Sequence, residues 1–362
     1  MFVTHKFQLY SDSIKQLRDL VPPFGYNGFG EFIFYRTYSR VKQDGGQEDW
    51  CDLVVRNTNG TFSIRKDWYI KNHIHWDEDF WQAYALKFAI SMFMMEWMPP
   101  GRGLWAMGSD FMYERGSMAL YNCAFTNITS TNLDDDISWL MDSLMHGVGV
   151  GFGPEREPLK IYKPVGTYDF VIPDSREGWC DSEKALINAF IRPGQKLPRM
   201  IYDKVREAGL PIKGFGGISS GPGPLKDLHE RTIAEFERYM TRPEYDVVYL
   251  KTNLANHTGC CVVAGNVRRS AELGKGKMSD PTFKDLKDYS KYPEREAFGW
   301  MSNNSVELET EDDFMMLGEI AQRVIKNGEP GYINLRNFPY GRIGKKMKNL
   351  RMDMATGMNP CG

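Results

Sequence analysis

The 362-residue chain balances 45 Lys and Arg against 47 Asp and Glu, a formal charge of −2. That balance excludes a general DNA- or RNA-binding surface, because neutralising phosphates needs a clustered cationic excess. Hydrophobic residues at 42% and charged residues at 25% are the mix of a folded soluble protein with room for two or three domains, and six cysteines without a CxxC pair support neither a disulfide scaffold nor a structural zinc site.

Met1 to Tyr10 holds no apolar run of signal-peptide length, so no leader is expected, and reduced cysteines point to the cytoplasm (the host cytoplasm for a virus-encoded chain). Residues 80–97 form the most apolar helix candidate, but Gln82, Lys87 and Glu96 interrupt them, which suits a buried helix and not a membrane span. Asp77 is placed to cap that helix and Pro99-Pro100 to end it. Residues 98–108 (MPPGRGLWAMG) read as a Gly/Pro connector, dividing a mainly helical domain, 1–108, from a second domain, 109–362.

After Cys123 a helix begins at Asp134, Asp135 and Asp136, where the macrodipole favours acids. Ile137, Leu140, Met141 and Leu144 share one face of it, and Gly147 closes it. Helical spacing recurs at Leu225, Leu228, Ile233, Phe236 and Met240, and at Val247, Leu250, Leu254 and Cys261. A Thr310-x-x-Asp313 cap opens another helix, with Phe314, Leu317, Ile320 and Val324 on one face and Asn327-Gly328 at its end. Short apolar runs at 168–172 and 331–335 suit strands, and the alternation of elements favours an α/β body with parallel strands. The charged stretch 274–296 reads as a solvated loop.

Several segments can carry chemistry. Gly147-Val-Gly-Val-Gly-Phe-Gly153 could be a tight turn or a ligand loop; it follows a helix, so the dinucleotide-binding fingerprint is not met. A second cluster, residues 214–224, is rich in glycine and serine before a helix, which suits either an anion site or a plain loop. Arg268 and Arg269, following Gly265, Asn266 and Val267, offer bidentate phosphate donors or a surface ion pair. Ser302-Asn-Asn-Ser-Val306 reads as a polar turn. Cys260 and Cys261 suit packing on a helix, Cys51 and Cys180 have no companion ligands, and His73 and His75 form the one close histidine pair, in a polar loop. Cys123 stands at a strand-like start and Cys361 in Met358-Asn-Pro-Cys-Gly362; a thiol becomes functional through its surroundings.

Taken in order, these segments resemble the adenosylcobalamin-dependent (class II) ribonucleoside-triphosphate reductases, especially the Lactobacillus-type enzyme. The resemblance is carried by Arg36-Thr-Tyr-Ser-Arg40, Gly101-Arg-Gly-Leu-Trp105 with Gly108-Ser-Asp110, Asn122-Cys123, Gly149-Val-Gly-Phe152, and Pro173-Asp-Ser-Arg-Glu-Gly-Trp179. It continues through Gly214-Phe-Gly-Gly217 with Ser220-Gly-Pro222, Ala264-Gly-Asn-Val-Arg-Arg-Ser-Ala-Glu-Leu273, Ser302-Asn-Asn-Ser-Val306, Asn327-Gly-Glu-Pro-Gly331 and Asn359-Pro-Cys-Gly362. Each stretch is short; their collinear order is specific.

The resemblance implies an N-terminal helical domain followed by the first half of a ten-stranded α/β barrel, ending in the finger loop. It implies thiyl-radical reduction of ribonucleoside triphosphates with adenosylcobalamin, most of whose contacts lie outside this chain. Cys361 matches the cysteine that carries the thiyl radical, Cys123 the first of two cysteines that reduce the 2′ position and end in a disulfide, and Asn359 a substrate-binding asparagine. Gly265, Asn266, Val267, Arg268 and Arg269 match the loop relaying a deoxynucleotide effector to the substrate site. The helix near Asp134 resembles part of the effector region. Asn122, Gly149, Gly151, Ser302, Asn303 and Asn304 are the substrate-pocket candidates. A thioredoxin-type reductant and a complementing C-terminal reductase fragment are the implied partners, because the glutamate that follows the motif in the family, the second redox cysteine and the remaining barrel are not in the chain. The stretch from Gly153 to Asp174 is much shorter than in the Lactobacillus-type enzyme. Two other readings stand beside this one: part of a class I large subunit, and an inactive nucleotide-binding fragment.

Overall fold

Capped helices packed on an aromatic core build the first of two units in the computed structural model, which describes residues 2–42, 44–212, 218–264, 270–340 and 355–361. The units are Met1–Asn122 and Cys123–Gly362. In the first, Asp49 and Asp52 form a reciprocal capping box at the start of the helix Trp50–Lys71, satisfying amides that a helix leaves bare at its first turn. Asp77 caps the helix Glu78–Phe93, accepting from the Phe80 amide at 3.0 Å. That helix stops well before Pro99, because Met95 already takes a positive φ of 57°. Leu17, Leu53, Val54, Phe62, Ala85 and Met92 make the core, with Trp76 stacked on Trp81 at 5.0 Å.

The connector 98–108 lies inside this unit and contains the helix Gly101–Ala106. Arg56 clasps it, donating to the carbonyls of Leu104 at 2.9 Å and Met107 at 2.5 Å while paired with Glu48. Gly108 has φ +73°, and a Cβ there would overlap the Arg56 carbonyl, so no other residue fits. Arg40 donates to the Trp105 carbonyl and stacks on its ring at 4.9 Å, so the stretches at 36–40 and 101–105 pack on one another. The division falls after Asn122, not at 108, because Met112 and Tyr113 pack on Val3 and the Phe2 and Val3 amides both donate to the Tyr113 carbonyl.

The second unit is built on a five-stranded, wholly parallel sheet in the order β1 (Cys123–Ile128), β2 (Gly149–Pro154), β5 (Glu272–Lys277), β6 (Ser302–Leu308) and β7 (Gly331–Asn334). Between β2 and β5 the chain forms a separate parallel pair, β3 (Thr167–Val171) and β4 (Leu197–Ile201). Parallel strands need crossovers, and helices supply them. Leu133–Met145 joins β1 to β2 and starts with the three aspartates, while Gly147 ends the turn at φ +73°. With Val247–Val263, which is buried on nearly every side, it packs against β1, β2 and β5.

Three sequence expectations are corrected here. Residues 149–153 are neither turn nor ligand loop but the strand β2, and 302–306 are not a polar turn but most of β6. Residues 274–296 are not a solvated loop: they hold most of β5, the helix Pro281–Asp285 and the turn Pro293–Ala297. Their charges are compatible with burial because they are paired, Lys284 with Glu319 at 3.0 Å and Arg295 with carbonyl and amide oxygens. The helix opened by Thr310 breaks at Met316 into Glu311–Met315 and Leu317–Asn327, closed by Gly328 at φ +79°.

Candidate functional site

Alternation along a strand sends successive side chains to opposite faces. In β2 this separates Val150 and Phe152, fully buried against the helices, from Gly149, Gly151 and Gly153 on the other face. The segment 355–361 runs along that glycine stripe. A Cβ on Gly151 would overlap the Met358 carbonyl, and one on Gly357 would overlap the Phe125 ring. A Cβ on Gly149 would stand 3.6 Å from the Cys123 sulfur and 3.5 Å from the Pro360 ring. The absence of side chains on β2 therefore lets residues 357–360 lie on the strand, and brings the neighbour of Cys361 beside the Cys123 thiol.

Cys361 is exposed, and its backbone N–H donates to Asn359 Oδ1 at 3.1 Å. This Asx-type bond fixes the two residues as one turn. Cys123 is half-buried at the first position of β1, paired across the ladder with Gly149. Both are thiols.

The other candidates divide. Asn303 is exposed and shares the glycine-stripe face through its register with Leu273 on β5. Ser302 and Asn304 point the opposite way and are buried: the Ser302 hydroxyl accepts from Asn256 Nδ2 at 3.0 Å and donates to Asn304 Oδ1 at 2.9 Å. Asn122 is exposed at the end of the first unit. Gly265, Asn266, Val267, Arg268 and Arg269 lie outside the described residues, as do Gly214 to Gly217. His73 and His75 are exposed, and no three His, Cys, Asp or Glu side chains converge on a metal-sized point among the described residues.

Sequence reading missed the other end of the same face. A cavity of about 670 Å³ opens at the carboxyl ends of the strands, lined among others by Asn127, Lys275, Glu307, Phe338 and Thr356. Ligands in α/β sheets commonly sit beyond strand carboxyl ends. Lys275 and Glu307 pair at 2.5 Å, the ammonium 5.2 Å from the Phe125 ring, and Asn127 Oδ1 has no hydrogen-bond partner. Alternation of Lys275 and Lys277 with Gly274 and Gly276 was the available signal, masked by the overall charge of 274–296.

The remaining thiols are packing residues by their surroundings. Burial pushes Cys260 and Cys180 up to about 12 and Cys51 to about 11, and raises Cys261 well above the ordinary thiol value, so none of the four is a ready thiolate at neutral pH.

Residues 9–109 match the ribonucleotide reductase alpha domain and residues 156–232 the insertion domain of B12-dependent ribonucleotide reductase. The chain is 38% identical to the adenosylcobalamin-dependent ribonucleoside-triphosphate reductase of Euglena gracilis, covering 98% of this chain and 49% of that protein. It is 35% identical to a probable counterpart in Dictyostelium discoideum with the same coverages, and 28% identical to that of Lactobacillus leichmannii over 99% and 55%. Its fold matches the crystal structure of a B12-dependent (class II) ribonucleotide reductase with a TM-score of 0.79 at 24% identity, covering 98% of this chain and 56% of the other. The chain thus spans about half the length of the curated relatives it matches. Ordered motifs, a five-stranded parallel sheet and these likenesses make the adenosylcobalamin-dependent ribonucleotide reductases the family that this chain is similar to along 98% of its length.

Proposed function

We propose that this chain supplies the radical-bearing half of a ribonucleotide reductase active site, acting on ribonucleoside triphosphates. The observation that carries the reading is the meeting of Cys123, Gly149 and Pro360: two elements far apart in sequence put one thiol at a strand start and a second, exposed thiol on the adjoining turn. Adenosylcobalamin, named for the relatives, supplies a carbon radical when bound, and exposed Cys361 is the thiol of this pair open to it. Most contacts to that cofactor lie beyond this chain.

Cys361, as a thiyl radical, takes the ribose 3′-hydrogen and returns it to the product. S–H and activated ribose C–H bonds are close enough in strength for the transfer to reverse. Cys123 gives its proton to the departing 2′-hydroxyl, which leaves as water. Two electrons come from Cys123 and a second thiol outside this chain, which join as a disulfide, and a thioredoxin-type reductant reopens it. Asn359 hydrogen-bonds the substrate. The segment 265–269 answers a deoxynucleotide effector, and the setting is the cytoplasm.

The test is complementation. The chain is mixed with a second chain supplying the rest of its relatives' length, a ribonucleoside triphosphate, adenosylcobalamin and a dithiol. Deoxyribonucleotide formation by the mixture and none by either chain is expected. Cys361→Ala abolishes it, and Cys123→Ser lowers it by at least about a thousandfold. Activity restored only by a metal-containing radical subunit assigns the chain to class I instead. Nucleotide binding without turnover in every mixture leaves a binding fragment.

A further inference from the structure

Arg295 is fully buried on the turn Pro293–Ala297, yet neither the motifs nor the proposed chemistry uses it. Its guanidinium is divided three ways. Nε donates to the Leu286 carbonyl at 2.8 Å, one terminal nitrogen to Asn256 Oδ1 at 2.9 Å, and the other to Asn253 Oδ1. Asn253 and Asn256 lie one turn apart on the helix Val247–Val263, the helix that runs into 265–269.

Each asparagine passes the constraint on. Asn253 Nδ2 donates to Glu235 on the neighbouring helix Gly223–Thr241 at 3.0 Å. Asn256 Nδ2 donates to Glu272 at 2.9 Å and to Ser302 at 3.0 Å, the first residues of β5 and β6. Ser302 continues to Asn304, whose backbone N–H donates to Glu329 at 2.9 Å just before β7. Lys287 adds a second tie to the same strand start, donating to the Ser302 carbonyl at 2.6 Å and facing Glu329 at 3.4 Å. Gly259 is what admits Glu272 beneath the helix, since a Cβ there would come within 2.5 Å of its carboxyl.

A buried arginine is expensive to desolvate, and removing this one leaves the Leu286, Asn253 and Asn256 oxygens without their donor. A fork of this kind serves geometry: its planar donors fix two partners at set angles where a lysine would fix one. We propose that Arg295 is a positioning residue, locking the helix that leads into 265–269 to the starts of β5 and β6, so that Asn303 stands on the face carrying Cys123 and Cys361. The proposal rests on the proposed function only for calling that face the site.

Hydrogen–deuterium exchange on the full 362-residue chain, without nucleotide or cofactor, tests it. Arg295→Met and Arg295→Lys are expected to speed exchange about tenfold or more in 250–258, 272–274 and 302–305, while 133–145 and 176–191 change little. Lysine keeps the charge without the fork, so it fails to restore protection. Ser302→Ala, which removes only the link from Asn256 to Asn304, loosens 302–305 alone. Glu272→Gln keeps an acceptor for Asn256 and leaves protection as in the wild type. Uniform acceleration across the unit, no acceleration at all, or full rescue by lysine would each overturn the assignment. Failed complementation, with this local pattern intact, counts against the proposed function and leaves the positioning role standing.

Discussion

At Gly151 the Met358 carbonyl occupies the place of a Cβ, whereas at Gly149 a Cβ would make ordinary contacts of 3.5–3.6 Å. The two glycines therefore differ in what alanine does. Gly151→Ala forces residues 355–361 off the strand, at a cost of about 1–3 kcal/mol, and limited proteolysis should cut that segment sooner than in the wild type. Gly149→Ala leaves denaturation midpoints unchanged but places a methyl between Cys123 and Pro360, so the complemented enzyme loses turnover with little loss of stability. Equal protease sensitivity in the two variants would contradict this division.

Glu183 gives a second residue-scale expectation. It is fully buried, with Thr232 donating to one oxygen at 2.7 Å and the other oxygen without a hydrogen-bond partner. Burial pushes its carboxyl from 4.5 up to about 8, the Thr232 bond pulling the other way. His229, 3.9 Å away, is itself driven neutral by burial, down to about 3. Between 4.5 and 8 the folded chain binds the proton and the unfolded chain does not, so this group's stability contribution is lost as pH rises. Glu183→Gln should thus match the wild type at pH 4 and exceed it at pH 8 by on the order of 1–3 kcal/mol, read from urea midpoints. Parallel pH dependence in both proteins would argue that the carboxyl is ionised in the fold. The sequence offered no hint of Glu183: nothing local distinguishes a buried glutamate from a solvated one on a helix.

Among elements, helices announced themselves through caps, and strands only through their outer faces. Asp77, the three aspartates at 134–136, Gly147 and the Thr310–Asp313 box all stand where the sequence places them. Removing the cap with Asp77→Ala should cost about 1 kcal/mol, visible as a small downward shift in thermal midpoint. By contrast, β2 reads as a glycine cluster because its packed partner on one face is main chain and not side chain, and β5 and β6 read as loops because their polar residues bond internally. Composition reports polarity but not pairing. Ser302 and Asn304 were legible as important polar positions, yet only alternation against Asn303 shows that they brace the strand instead of facing the stripe.

For the whole molecule, the order of short motifs carried more than any one of them: an all-helical unit followed by a parallel sheet is what that order implies and what the structure contains. The two units behave differently under the same rules. Aromatic packing consolidates the first, while the second leaves β1 and β7 as the outer strands of its main sheet, each with one ladder partner among the described residues. No described helix is long and apolar enough to cross a membrane.

The bond from the Cys361 amide to Asn359 Oδ1 leaves that side chain polarised toward its surroundings: its oxygen is partly spent inward, and the NH₂ group is what remains to be offered. A group that brings lone pairs meets both of its N–H donors, while a donor finds only the remaining lone pair of the oxygen. Asn359→Asp keeps the inward acceptor, and so the turn, while replacing two donors by a negative charge; Asn359→Leu loses both. An oxygen that can only accept would be repelled by the first variant and merely unheld by the second, so for such a group the aspartate, although it preserves the turn, should be the poorer binder, whereas a hydroxyl could still donate to the new carboxylate.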